Sequence, residues 1–181
     1  MDSPCEDTAI QLLGTRTPGY PQGRMRLMIS DTYFTVPFEK GKVVVQTSEA
    51  GRVRAIRFDL EGLFVEKEAE CELAEKIRLY FQGHRVTWDA IPDMEGLTDF
   101  KKRVYDRVAR IPYGRTSTYG QIARDVNCRS GSRAVGQAMA GNRIPLIIPC
   151  HRVVSGNGTI GGFSSGTDLK RYLLRLEGVV L

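Results

Sequence analysis

The sequence predicts an α/β chain in two domains, a small antiparallel sheet with one helix followed by a mainly helical part. Three observations carry that expectation. Runs of β-formers with alternating polarity fill Met25 to Phe58, apolar residues recur at helical spacing after Glu70, and the sign of the charge reverses near Leu97.

Met25 to Ser30, Thr32 to Val36, Lys42 to Thr47 and Arg52 to Phe58 read as strands, and the turn Ser48-Glu49-Ala50-Gly51 makes the last two a hairpin. From Glu70 to Gln82 the positions Leu73, Ala74, Ile77, Tyr80 and Phe81 form a helical stripe that Gly83 stops. Pro92 and Gly96 punctuate an expected linker, which places a domain boundary between residues 90 and 97. A helix follows from Phe100 to Arg110 with Phe100, Val104 and Val108 inward, ended by Pro112 and Gly114. Thr118-Tyr119-Gly120-Gln121 has the spacing of a capping box, and Ile122, Ala123 and Val126 continue a short helix behind it. After the turn Asn127 to Gly131, Arg133 to Ala140 resumes helical spacing until Gly141. Two short helices across such a turn suit a helix-turn-helix, or equally an ordinary helical hairpin. A last helix runs from about Asp168 through Leu169, Tyr172, Leu173 and Leu176 to the stop at Gly178.

At 181 residues and 41% hydrophobic, the composition is that of a soluble globular chain. The apolar stretch Ile144 to Ile148 is too short for a bilayer and no apolar leader opens the sequence, so no membrane association and a place inside the cell (cytoplasm, or nucleus in a eukaryote) are expected. Cys5, Cys71, Cys128 and Cys150 show no paired spacing and no histidine cluster. Neither a disulfide framework nor a metal site follows, and no cofactor is expected.

Met1 to Leu97 carry 12 basic and 16 acidic residues, whereas Thr98 to Leu181 carry 14 and 5. An excess of that size in one half suits a polyanion, and phosphate backbones are the commonest one, although a merely basic surface has the same composition. The helix after Gly131 adds a second hint. Ser132, Ala134, Gly136, Ala138 and Ala140 make it slender, with Arg133 its one long side chain of charge. Small residues permit close backbone approach but offer few base-edge hydrogen bonds, so the helix suits contact by shape, as in a minor groove.

The segment Ile147 to Val154 sets Cys150 beside His151 in an apolar, proline-restricted run. A thiol becomes a nucleophile when a nearby base or positive charge favours its thiolate, and neighbours in sequence need not face each other. Glu177, at the end of the last helix, would fix the imidazole if the fold brings it there; otherwise it is a solvated terminal acid.

PCHRVV at Pro149 to Val154, preceded by GNRIPLI and followed by GGFSSG, resembles the active-site signature of the O6-alkylguanine-DNA alkyltransferases. The likeness extends from about Phe100 to Glu177, through Tyr119 and the helix Ser132-Arg133-Ala134-Val135-Gly136. It implies a ribonuclease-H-like N-terminal domain at residues 1–93 and a winged helix-turn-helix-like domain at 94–181. It also implies repair of double-stranded DNA by a monomer, through one irreversible transfer of the alkyl group of O6-alkylguanine to Cys150, with O4-alkylthymine a second candidate substrate. By the same resemblance a water relays the thiol proton to His151, Glu177 orients that histidine and Asn142 braces the turn. Tyr119 helps turn the nucleotide out and Arg133 fills the gap in the stack, which offsets part of the cost of flipping. The carbonyls of Cys150 and Val153 would read guanine, the Ser164 N–H would face O6, and Met139, Pro145 and Phe163 would wall the pocket.

Two departures stand out. Phe163 occupies a position where several members have tyrosine, so a hydroxyl is absent there. Some members hold zinc in the N-terminal half through cysteines and histidines, and here Cys5 and His84 are the plausible remnants of such a set, too few for a structural site. The competing readings are a lesion-binding relative without transfer, against which Cys150 argues, a Cys-His-Glu hydrolase, which leaves the basic half unexplained, and a regulator that uses Cys150 as a sensor.

Overall fold

The computed structural model describes residues 32–128 and 131–181; the strand expected at Met25 to Ser30, Cys5, and the turn residues Arg129 and Ser130 lie outside the described residues. Three strands, β1 (Thr32–Phe38), β2 (Gly41–Thr47) and β3 (Val53–Asp59), form an antiparallel meander in that order. The register pairs Phe34 with Val45, Val36 with Val43, Val45 with Ile56 and Val43 with Phe58, so the alternation puts all six on one inner face. The other face is also covered. Thr35 exchanges hydrogen bonds with Lys67 (2.8 and 3.0 Å), and the Asp59 carboxylate accepts from the N–H groups of Leu63 and Phe64 (2.9 Å each), which straps residues 59–67 across it. Helix α1 (Glu72–Phe81) lies on the inner side with Ala74, Ile77 and Tyr80 fully buried.

The expected linker is pinned to the sheet. Val53 donates to Ile91 O (2.9 Å) and accepts from Asp93 N (2.8 Å), so the edge of β3 is paired with the segment that the sequence suggested was a linker. An exposed strand edge leaves donors and acceptors that the following segment can satisfy, and two bonds leave no periodic trace in a sequence. Farther along the same edge, Ile56 N donates to Arg143 O (2.8 Å).

Four more helices follow: α2 (Asp99–Ala109), α3 (Tyr119–Asp125), α4 (Gly131–Ala140) and α5 (Thr167–Leu176). The capping box at Thr118 and Gln121 is formed, with Gln121 N donating to Thr118 Oγ1 (3.1 Å) and Thr118 N to Gln121 Oε1 (2.7 Å). Two short strands the sequence did not reveal, β4 (Ser117–Thr118) and β5 (Val153–Val154), pair in parallel. They hold the start of α3 beside the 3₁₀ turn Cys150–Arg152. One apolar cluster runs from the inner face of the sheet through α1 and α2 to Leu169 and Leu173 of α5. No helix among the described residues is long and apolar enough to cross a membrane.

Candidate active site

Cys150, His151 and Arg152 occupy a single tight turn, all buried, between the loop that leaves α4 and the short strand β5. Asn142 shapes that loop. Its Nδ2 donates to Ile148 O (2.8 Å) and to Cys150 Sγ (3.1 Å), while its Oδ1 accepts from Ile144 N (3.0 Å). Leu146, between these anchors, sits at φ 75°, a conformation costly for a branched side chain that persists only where the surroundings enforce it. The side chain that approaches the thiol thus also holds the strained loop.

Glu177 closes α5 and turns inward, 5% exposed, where the helix dipole disfavours a carboxylate. Four donors offset that cost. Oε1 accepts from Tyr80 Oη (2.7 Å) and Arg152 Nη2 (2.9 Å) and lies 2.8 Å from His151 Nε2; Oε2 accepts from Arg152 Nε (2.9 Å) and Gly114 N (3.0 Å). Arg152 Nη1 donates to Ile111 O (2.7 Å), so the guanidinium is spent entirely inside the protein. Gly114 has φ 71°, and a Cβ there would lie 2.9 Å from Glu177 O, which explains a glycine at that approach.

The electrostatics follow from burial and these partners. Burial opposes ionisation of Glu177, but the hydrogen bonds and charges of His151 and Arg152 prevail and hold its carboxyl down to about 2. Burial lowers the His151 imidazole, with Glu177 acting in the opposite sense. Burial pushes the Cys150 thiol up, opposed by the Asn142 hydrogen bond and the charge of Lys170. Lys170, fully buried on α5, donates to the carbonyls of Val153 and Gly162, and burial brings it down to about 8. At neutral pH the turn therefore presents a neutral thiol and a neutral imidazole beside a charged carboxylate. His151 Nδ1 is buried without a partner among the described residues.

Tyr119, first residue of α3, reaches over the turn: its hydroxyl lies 3.4 Å from Gly162 O, and burial together with Cys150 raises its phenol. Its ring crosses Gly161, where a Cβ would sit 3.2 Å from Tyr119 Cε2. Phe163 is half-buried and Ser164 exposed in the same loop, whereas Met139, Pro145 and Val153 are buried. The carbonyls of Cys150 and Val153 already accept one bond each, from Val153 N and Lys170, and each keeps a lone pair. On α4, Ser132 and Arg133 are exposed and Ala134 and Gly136 half-buried, with open space where a Gly136 Cβ would point. The fold so gathers Cys150, His151, Glu177, Asn142 and Tyr119, and leaves Arg133 on an outer helix face.

Sequence reasoning gave no role to Tyr80, Arg152 or Lys170. A surface cleft of about 410 Å³ lined by Arg107, Arg110, Arg115 and Gln121 shares no residue with this cluster. Cys71 and His84 are exposed and Cys128 half-buried, and no group of three or more His, Cys, Asp or Glu converges among the described residues.

Residues 99–179 match the family described as 6-O-methylguanine DNA methyltransferase, DNA binding domain. A methylated-DNA–protein-cysteine methyltransferase of Methanosarcina acetivorans is 44% identical over 107 residues, 59% of this chain and 68% of that one. One of Sulfurisphaera tokodaii is 37% identical over 153 residues, covering 84% and 95%. Among solved structures, Mycobacterium tuberculosis OGT in complex with DNA superposes with a TM-score of 0.70 at 31% identity, covering 81% of this chain and 92% of that chain.

Proposed function

The chain belongs to the 6-O-methylguanine DNA methyltransferase family, which repairs alkylated DNA by moving the alkyl group to a cysteine, and from that premise we propose that Cys150 is the acceptor. The observation that carries this reading is the buried assembly in which Asn142 donates to the Cys150 sulfur while the adjacent His151 is held by Glu177. With Nε2 facing the carboxylate, the basic nitrogen is Nδ1, and a water between Nδ1 and the sulfur would carry the thiol proton to the imidazole. The thiolate then attacks the carbon attached to O6, the carbon–oxygen bond breaks, and its electron pair leaves on guanine. The proton taken up by His151 returns through solvent or Tyr119 to the base, so that thiol and alkylguanine become thioether and guanine. A thioether is a poor leaving group, and each protein acts once.

Substrate recognition is proposed from the same geometry. The slender outer face of α4, in a winged helix-turn-helix with α3, enters the minor groove of double-stranded DNA, and Arg133 takes the place of the flipped nucleotide. Tyr119 stands by the base, the carbonyls of Cys150 and Val153 read its edge, the Ser164 N–H supports the departing O6, and Met139, Pro145 and Phe163 wall the pocket. Residues 94–181 would hold this machinery and residues 1–93 would buttress it, in a protein that acts as a monomer inside the cell.

Duplex DNA carrying labelled O6-methylguanine, followed by peptide mass, tests the reading. One methyl on Cys150 per protein without turnover is expected, and Cys150→Ala should bind the duplex and accept none. Transfer by that variant, or a methyl on another residue, would sink the assignment.

A further inference from the structure

The N-terminal half contributes a side chain to the site. Tyr80 is carried by α1, 97 residues from Glu177 in sequence, and its fully buried hydroxyl lies 2.7 Å from Glu177 Oε1 and 3.3 Å from His151 Nε2, with Oε1 itself 2.8 Å from Nε2. These three atoms form a closed triangle. The hydroxyl has one proton, and a carboxylate only accepts, so the proton goes to Glu177 and the phenolic oxygen turns lone pairs toward the imidazole. Both groups that face Nε2 are then acceptors.

We propose that Tyr80 is a positioning residue of the transfer site, whose hydroxyl together with Glu177 holds His151 as the Nε2–H tautomer and draws charge from the carboxylate, leaving Nδ1 as the base. This rests on the reading of Cys150 and His151 given above. Second partners of this kind fix a ring's tautomer and tune its basicity. Burial and the neighbouring Glu177 raise the Tyr80 phenol well above its ordinary value, so it remains a donor throughout the working pH range. The other charged or titratable groups facing the pair are Arg152, Lys170, Cys150 and Tyr113, the last with Arg85 5.8 Å over its ring.

The ring does not need its hydroxyl to stay in place. Phe81 and Tyr113 meet it edge-on at 5.3 and 6.1 Å and Trp88 lies at 5.8 Å, so Tyr80→Phe keeps the aromatic contacts and removes one donor. Losing that donor concentrates negative charge opposite His151 and favours its protonated form.

Imidazole ¹⁵N spectra of the full chain test this, because His84 and His151 are its two histidines and His84→Gln removes the other signal. The unaltered protein should show His151 neutral with the proton on Nε2. In Tyr80→Phe the His151 titration should move up by roughly half a unit to one unit. The acid limb of single-turnover methyl transfer should move with it, while DNA affinity stays unchanged. Trp88→Leu loosens the same ring without touching the hydroxyl, and should lower Tm while His151 titrates as before. A Tyr80→Phe titration and tautomer that superpose on the unaltered protein, or an equal shift in Trp88→Leu, would reduce Tyr80 to packing and overturn the proposal. Absence of methyl transfer in the unaltered protein, with the titration shift intact, would instead overturn the alkyl-transfer reading and leave the Tyr80 coupling standing.

Discussion

Glu177 concentrates more interactions than any other side chain described above, and its ionisation couples folding to pH. Its carboxyl is held at about 2 against an ordinary 4.5, so its contribution to stability is fully present above pH 4.5 and is lost as pH falls toward 2. That amounts to about 3 kcal/mol at most. His151 acts in the same direction from higher pH, since burial lowers it from 6.5 and acid below that value favours the unfolded, protonated form. Tm should therefore decline below pH 6.5 and fall steeply below 4.5. Glu177→Gln should lose the steep part and start lower by about 3 kcal/mol, because Arg152 is left buried without its anion. Parallel Tm profiles for the two proteins would contradict this. The residue types that the fold gathers were legible: Cys150 and His151 adjoin in one motif, and Glu177 marks a helix end. Their partners were not. Helical spacing assigned Tyr80 a side of α1 but could not say where its hydroxyl goes. Lys170 left one trace, its place three residues before Leu173 and four before Leu174, on the buried side of α5.

On the reading proposed above, helix α4 serves approach to DNA more than packing. Val135, Ala138 and Met139 bury one side, and the opposite side carries small residues and Arg133. A side chain at Gly136 would point into open space, and leucine favours a helix over glycine by somewhat less than 1 kcal/mol. Gly136→Leu should therefore fold with equal or slightly higher Tm, yet bind duplex DNA at least tenfold more weakly, as titration by fluorescence anisotropy would show. Equal affinity would move the DNA away from this face. Helices α1 to α5 and the three-stranded sheet were legible to within a few residues, because each carries enough periodic positions to declare itself. The pairing of β4 with β5 was not, since two residues per strand have no period, although it sets Tyr119 over the Cys150 turn.

The edge of β3 joins the two halves. It bonds to Ile91 and Asp93 after α1 and to Arg143 in the loop that leads to Cys150, while the apolar cluster continues from sheet to α5. Contacts so continuous predict one cooperative unfolding event. Trp88, the single tryptophan, packs on Tyr80 and reports the junction. Its fluorescence and the helical circular dichroism should therefore change together in urea, and separate midpoints would show that the halves unfold independently. The sequence suggested a linker here because Pro92 and Gly96 punctuate the chain, and punctuation does not reveal where the backbone donors of the segment are satisfied.

A protein that reacts once must also avoid reacting wrongly. Cys150 is 5% exposed and burial raises its thiol, so it meets a stray electrophile neither as an accessible group nor as a ready thiolate. Cys71 is exposed and Cys128 half-buried. With limiting iodoacetamide in the absence of DNA, Cys71 should therefore be carbamidomethylated before Cys128, and Cys150 last of these three. Chemoselectivity then comes from concealment: the sulfur meets an alkyl group when a partner delivers it into the turn, and the single reaction is kept for DNA.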